Sequence, residues 1–505
     1  MARGDARHSA DPAAPGSRRR RRLTVLPLVL VVLVYAAALA SYRFDLGERW
    51  LGWDYPSPIT EPAEVAPPPG LTLPEVEAAP AVAEPLEAQP ADPDAVQQAL
   101  ADLVGDKALG PHLAVAVAQL SDGETVFDAG APRVTPASTL KLLTTTAALS
   151  ALGPDHHFTT STVTTGTAKT VTLVGGGDPF LSRAPVEADV YPERADLETL
   201  ADATAKALHD RGRDRVRLRY DDSLFTGPAV SPDWPASYLP DDVVSPITAL
   251  WVDEGRKTPG LRERTDDPSL FAARVFARAL EDAGVTVRGT PKRQLAAPDA
   301  DELASVQSAP LARIVQRTLE VSDNEAAEVL FRQVALAEGL PGSFAGGQQA
   351  VPAVLDRLGV DTTGLRMLDG SGLSRDNLVA PETELGVLEV ASAEDHPELR
   401  AVLTGLPVAG WTGSLLYEFE VGDPAGLGRV RAKTGTLTGV HGLTGVTTDL
   451  DGTELAFVAV ADRVKDRNEG KAIALLQQIA AALAGCHCGA AAADSGDSAS
   501  PQPSS

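Results

Sequence analysis

The chain has 505 residues and a formal net charge of -25, enough for roughly two to four domains and too acidic to neutralise nucleic-acid phosphates. Hydrophobic residues make up 44% of it, as in a globular protein with a sizeable core. The charge is uneven: residues 1–22 hold seven Arg against Asp5 and Asp11, a net of +5 in a chain that is otherwise -30, which suggests a membrane boundary between the two parts.

From Leu23 to Ala40 the chain is apolar apart from Thr24, Pro27 and Tyr35, and it follows directly on five arginines, Arg18 to Arg22. About 20 apolar residues cross the hydrocarbon as a helix and the arginines stay cytoplasmic, so the bulk of the protein is expected outside. Ala38-Leu39-Ala40 resembles a small-residue cleavage site, so residues 23–41 read either as a transmembrane anchor or as a removed signal peptide. The length of the run favours the anchor. Residues 42–95 form a spacer. Between Tyr55 and Gln97 it is dense in Pro, Ala and Glu with no Lys or Arg, buries too little apolar surface to offset its ordering entropy, and is expected to extend. Residues 487–505, poor in large apolar side chains from Ala490 on, are expected to be a disordered tail.

The folded part opens with a helix predicted over Val96 to Val104 and a hairpin, His112 to Leu120 and Glu124 to Asp128, around Ser121-Asp122-Gly123. Strands follow near Ala168 to Val174 and Arg215 to Tyr220, with helices near Asp196 to His209 and Ser269 to Ala283. Two helical stretches, Ala312 to Leu319 and Glu325 to Leu336, precede strands at His441 to Asp449 and Thr453 to Asp462 and a helix from Lys471 to Leu483. Strands from both ends of this part fit one antiparallel sheet flanked by helices. The expectation is an α+β fold with a discontinuous domain, 96–160 and 303–486, and an inserted domain, 161–302. Cys486 and Cys488 read as a local strained disulfide or as free thiols; with His487 they make only half a metal site, and no metal is expected.

Three short stretches carry chemistry: Ser138-Thr139-Leu140-Lys141, Ser322-Asp323-Asn324 and Lys433-Thr434-Gly435. Spacing of three puts Lys141 on the same helical face as Ser138, where a Lys of lowered pKa can take the proton of a serine nucleophile. Ser322 and Asn324, on a short connection between helices, can project into a cleft. There Ser322 can relay a proton between Lys141 and a departing amine, and Asn324 can bond a substrate amide. Lys433 and Thr434, on a strand-like run, can hold a terminal carboxylate while Gly435 leaves room for the substrate backbone. The N–H groups of Ser138 and Thr436 would form an oxyanion hole. Each stretch alone has a plainer reading: a helix cap, a Ser-Asp-Asn-Glu capping sequence, and a cationic edge strand that discourages aggregation. Their order and context together favour chemistry.

The three match the S-x-x-K, S-D-N and K-T-G set of penicillin-recognising serine enzymes. The chain resembles the class C low-molecular-mass penicillin-binding proteins, D-alanyl-D-alanine carboxypeptidases/endopeptidases of the serine peptidase S13 family. Further stretches carry the likeness: Leu149 to Asp155 with His157-Phe158, Gly175 to Pro179, Asp221 to Phe225 and Asp369 to Arg375. The resemblance runs from about Leu113 to Ala461 and implies a penicillin-binding, serine β-lactamase-like transpeptidase fold. Roughly 180 residues separate Lys141 from Ser322, room for the inserted domain, whereas the compact β-lactamases have a much shorter interval.

That resemblance implies a carboxypeptidase acting on peptidoglycan stem peptides through an acyl-enzyme on Ser138, without cofactor, and acylated by β-lactams. Two alternatives stand beside it. A serine β-lactamase would need fast deacylation, yet no Glu-x-x-Leu-Asn arrangement follows Ser322. A catalytically silent wall-binding scaffold would not need intact Ser138, Lys141, Ser322 and Lys433.

Overall fold

The computed structural model describes residues 90–166, 169–419 and 424–490. The apolar run at 23–40, the spacer up to residue 89 and the tail after residue 490 lie outside the described residues. Among the described residues, no helix is long and apolar enough to cross a membrane.

Helix α1 (Pro93–Val104) starts three residues earlier than expected. Asp92 caps it, accepting from Asp94 N, and Pro93 takes the first helical position, where its missing N–H costs nothing. Strands β1 (Leu113–Gln119) and β2 (Thr125–Gly130) form an antiparallel hairpin. A 3-10 turn, Ala137–Leu140, leads into α2 (Lys141–Leu152), which is buried from Lys141 to Leu149.

The excursion that follows has its own sheet. Strands β3 (Thr159–Thr164), β4 (Thr170–Val174), β5 (Arg215–Asp221), β6 (Thr286–Val287), β7 (Lys292–Arg293) and β8 (Asp301–Gln307) are ordered β6-β5-β4-β3-β8, with β7 also on β5. The β4–β5 pair is parallel, as it must be when α3 (Leu197–Asp210) forms the crossover. That helix and α4 (Pro268–Asp282) bury Leu200, Leu208, Phe276 and Leu280 with Val171, Leu173, Val216 and Leu218. The excursion therefore has a core of its own, and its strands reach slightly beyond the expected 161–302 at both ends.

Helices α5 (Leu311–Glu320), α6 (Asn324–Ala337), α7 (Phe344–Arg357), α8 (Pro381–Ser392) and α9 (Arg400–Thr404) return to the first domain. Strands β9 (Arg431–Leu437), β10 (Val440–Thr448) and β11 (Glu454–Ala461) complete its antiparallel sheet, ordered β2-β1-β11-β10-β9, ahead of α10 (Glu469–Gly485). Leu113 pairs with Ala461 and Gln119 with Leu455, so both ends of the folded chain share this sheet, as expected. Alternation along β1 sends Val115 and Val117 into a core with Leu475, Ile479 and Leu483 of α10, and Ala114, Ala116 and Ala118 into the core that holds α2 and α8. Small side chains on that second face let α2 lie close to the sheet and bring the first motif against the edge strand β9.

At the C-terminal end the expectation of a tail from residue 487 is corrected. Cys486 and Cys488 form a disulfide, Cys488 is fully buried, its carbonyl accepts from Asp92 N at 2.7 Å, and Gly489 bridges Ala91. Backbone pairing and burial thus hold residues 487–490 against the start of α1. The two sulfurs are bonded to each other.

Candidate active site

Ser138 lies in the 3-10 turn, three residues before α2 begins at Lys141 rather than in the first turn of that helix. In a 3-10 turn residues i and i+3 eclipse, which lays Lys141 directly over Ser138, with Nζ to Oγ 3.0 Å. The turn is set by a strained residue: Ala137 has φ 50. Its carbonyl is met by Gly372 (φ +84), where a Cβ would sit 1.8 Å from Ala137 O, so only glycine fits there.

Lys141 is fully buried and also donates to Asn324 Oδ1 at 2.8 Å and to Ser371 O at 2.7 Å. Three acceptors match its three N–H groups. Burial pulls its pKa down to about 8, against the opposing fields of Glu328, Asp323, Asp369 and Glu325. Roughly a tenth of such lysines are neutral at pH 7, and that form presents a lone pair within reach of Ser138 Oγ.

The second motif sits where α6 begins. Asp323 caps that helix, accepting from Ala326 N at 2.8 Å, and Ser322 takes φ 61, a left-handed conformation of the kind held at functional turns. Sequence reasoning paired Ser322 with Lys141 and left Asn324 for substrate. In the structure Ser322 Oγ instead accepts from Lys433 Nζ at 2.9 Å, and Asn324 is the residue on Lys141.

The third motif lies on the edge strand, as expected. Lys433 is fully buried and divides its donors between Ser322 Oγ and Thr434 O, the latter at 2.8 Å. Burial first, and the nearby Lys141 charge second, push its pKa well below the usual lysine range. Thr434 is half-buried with Oγ1 3.0 Å from Ser414 Oγ, and Thr436 is exposed. Gly435 is explained by the nucleophile turn: a Cβ there would lie 2.6 Å from Pro136 O.

Three further acidic residues shape the site. Glu328 accepts from Gly370 N at 3.1 Å and Ser371 N at 2.8 Å, aiming the Ser371 carbonyl at Lys141; burial, then Asp369, raises its pKa to about 8. Asp369 accepts from Trp234 Nε1, Gly372 N and Ser374 N at 2.6 to 2.9 Å. Glu384, fully buried, ties Thr139 Oγ1 (2.5 Å) to Thr444 Oγ1 (2.6 Å), and Thr444 pairs with Lys433 across the sheet. The sequence held one usable signal for these: Glu328 stands one helical turn after Asn324, on the same face. Glu384 offered none beyond an acidic first turn.

Of the cavities near the motifs, one of about 220 Å³ is lined by Thr434, Gly435 and Thr436 with Ser414 and His441, and two more lie beside them. One of about 480 Å³ is lined by Ser322 and Asn324 together with Arg194, Glu254 and Arg256 of the excursion. Another, about 720 Å³, lies at the Arg431 end of β9, lined also by Val408, Thr412, Arg317 and Tyr191.

The family model described as D-Ala-D-Ala carboxypeptidase 3 (S13) matches residues 96–264 and 257–483. Carboxypeptidase DacB of Mycolicibacterium smegmatis is 33% identical over 486 residues, covering 94% of this chain and 99% of that protein. A D-alanyl-D-alanine carboxypeptidase of an Actinomadura species is 31% identical, over 71% of this chain and 79% of that one. Among solved structures, penicillin binding protein 4 (dacB) of Haemophilus influenzae superposes with a TM-score of 0.63 at 24% identity, covering 76% of this chain and 97% of that one. That superposition shows the fold.

Proposed function

The chain belongs to the D-Ala-D-Ala carboxypeptidase (S13) peptidase family, and from that premise we propose that Ser138, Lys141 and Ser322 carry out the hydrolysis, with β-lactams as covalent inhibitors. The protein is a serine-type carboxypeptidase that trims peptidoglycan stem peptides. The observation that carries the reading is the buried Lys141 Nζ 3.0 Å from Ser138 Oγ, because a serine hydroxyl needs an adjacent base to attack.

Neutral Lys141 takes the Ser138 proton as Oγ bonds to the carbonyl carbon of the penultimate D-Ala. The oxyanion is received by the N–H groups of Ser138 and Thr436. As the C–N bond breaks, the departing amine gains a proton through Ser322, whose hydroxyl is recharged from Lys433. Water then cleaves the ester: it gives a proton through Ser322 to the now neutral Lys433 as its oxygen bonds to the acyl carbon, and Lys141 returns its proton to the departing Ser138 Oγ. Because Lys433 is enclosed and already committed to Ser322 and Thr434 O, the free carboxylate falls chiefly to Thr434 and its neighbour Ser414. Cleavage of the bond to a second, cross-linked stem peptide is supported by the 720 Å³ cavity beyond Arg431, which leaves space past the leaving residue.

The work is done outside the cytoplasm, on a membrane anchor or after release as a secreted protein; the basic start and apolar run support this placement. A labelled penicillin, traced by mass spectrometry of peptides, is expected at Ser138 as a long-lived adduct. Labelling at another serine, or hydrolysis of the drug within seconds, would overturn the mechanism.

A further inference from the structure

Trp411 and Tyr417 are 70% and 82% exposed, more than any other large apolar side chain among the described residues, and Leu416 and Leu427 are exposed beside them. An exposed Trp is unusual enough to ask for a partner. The segment that bears them is fixed: Trp411 N donates to Val408 O and Gly410 N to Leu415 O, both at 2.9 Å, and Val408 N to Thr412 Oγ1 at 2.9 Å. Leu427 lies over Gly410, and the Trp411 indole lies by Gly428, so Trp411 and Leu427 share one surface, and Leu416 and Tyr417 follow Trp411 within six residues on the same segment.

This surface continues the catalytic cleft. Ser414, between the two aromatic residues, touches Thr434 Oγ1, and the same segment lines the cavity at the Arg431 end of β9. Pro407 to Ala409 already occupies the outer edge of β9 at that end: Ala432 N donates to Pro407 O and Ala409 N to Val430 O. A substrate strand can therefore add only along Lys433 to Leu437. What extends past the leaving residue therefore leaves the strand edge beside Val408, with Trp411 three residues further along the same segment.

The surface is also neutral. Residues 401–417 contain no Asp, Glu, Lys, Arg or His in a chain of net charge -25. With no cation of its own, and with Arg317 and Arg431 of the adjoining cavity offset by Asp189 and Glu320, it has little net attraction for an anionic lipid surface, whereas flat aromatic faces beside Ser and Thr hydroxyls suit the apolar face and the hydroxyl rim of a pyranose ring.

We propose that Trp411 and Tyr417 form a platform for the sugar rings of the peptidoglycan strand attached to the leaving side of a cross-link. The inference rests on the peptidase reading above. It makes the enzyme sense the glycan as well as the peptide.

The test compares cross-linked disaccharide-peptide dimers with the same dimers after enzymatic removal of the sugars, and with a free pentapeptide ending in D-Ala-D-Ala. Trp411→Ala and Tyr417→Ala are expected to raise KM for the sugar-bearing dimer by about tenfold each, with Trp411→Phe recovering part of the loss. The kinetics on sugar-free dimer and pentapeptide should stay within about twofold. Equal changes on sugar-bearing and sugar-free dimers, or no change on either, overturn the proposal. So does loss of binding to phosphatidylglycerol vesicles or to a protein partner with KM unaltered. Failure of the wild-type protein to cleave even the pentapeptide would strike the peptidase reading itself, a separate outcome.

Discussion

Asn324 Oδ1 accepts a hydrogen bond from Lys141 Nζ at 2.8 Å, so the second motif is fastened to the catalytic base across the interface between α6 and α2. The asparagine therefore helps set the protonation of that base. Asn324→Asp places a negative charge beside Lys141, raising its pKa and leaving less of the neutral form. Penicillin acylation at pH 7 should fall by roughly tenfold or more, with the pH profile displaced upward. An unshifted profile would separate Asn324 from the base.

Catalysis itself should track Lys141. With its pKa near 8, the reactive neutral form rises about tenfold per pH unit below that value. Acylation should climb through pH 6 to 8 and level off above. Lys141→Ala should abolish this dependence together with about 10²–10⁴ of the rate. Stopped-flow acylation across that range checks both.

Lys433 and Thr434 adjoin in sequence but should fail differently. Lys433 holds Ser322, so Lys433→Ala should slow acid and amide substrates alike, by about 10²-fold or more. Thr434→Val should hurt free-acid peptides more than matched C-terminal amides. The ratio of kcat/KM for acid and amide in each variant decides the assignment.

Glu384 links the nucleophile turn to β10 through Thr139 and Thr444. Burial raises its pKa to about 7, above the usual carboxylate value of 4.5, so the folded state prefers the protonated form. Its contribution to stability is complete below pH 4.5 and declines as pH rises through 7, by about 3 kcal/mol at most. Between pH 5 and 8 the wild type should lose stability relative to Glu384→Gln. Parallel denaturation curves for the two proteins across that range would refute this.

Gly372 meets the carbonyl of Ala137 at a distance no side chain permits. Gly372→Ala should cost about 1–3 kcal/mol from its positive φ alone and also displace Ser138. Urea unfolding gives the first effect, and the penicillin acylation rate gives the second. Normal acylation would show that the turn adapts.

The sequence by itself determined the elements and the three motifs, because each is written in a short range. A hydrophobic period marks β1, β10, β11 and α10, and spacing of three sets Ser138 against Lys141. It also located the excursion, since the interval from Lys141 to Ser322 is too long for a loop. Tertiary structure decided the pairings. Which lysine Ser322 meets depends on how β9 and α6 approach across more than a hundred residues, and no local pattern encodes that. The lowered pKa of Lys141 and Lys433 likewise comes from complete burial, a property of packing around the side chain rather than of its neighbours in sequence. The same holds for Gly435, whose missing side chain answers to Pro136, and for Glu384, an acid in a helix's first turn until β10 and the nucleophile turn enclose it.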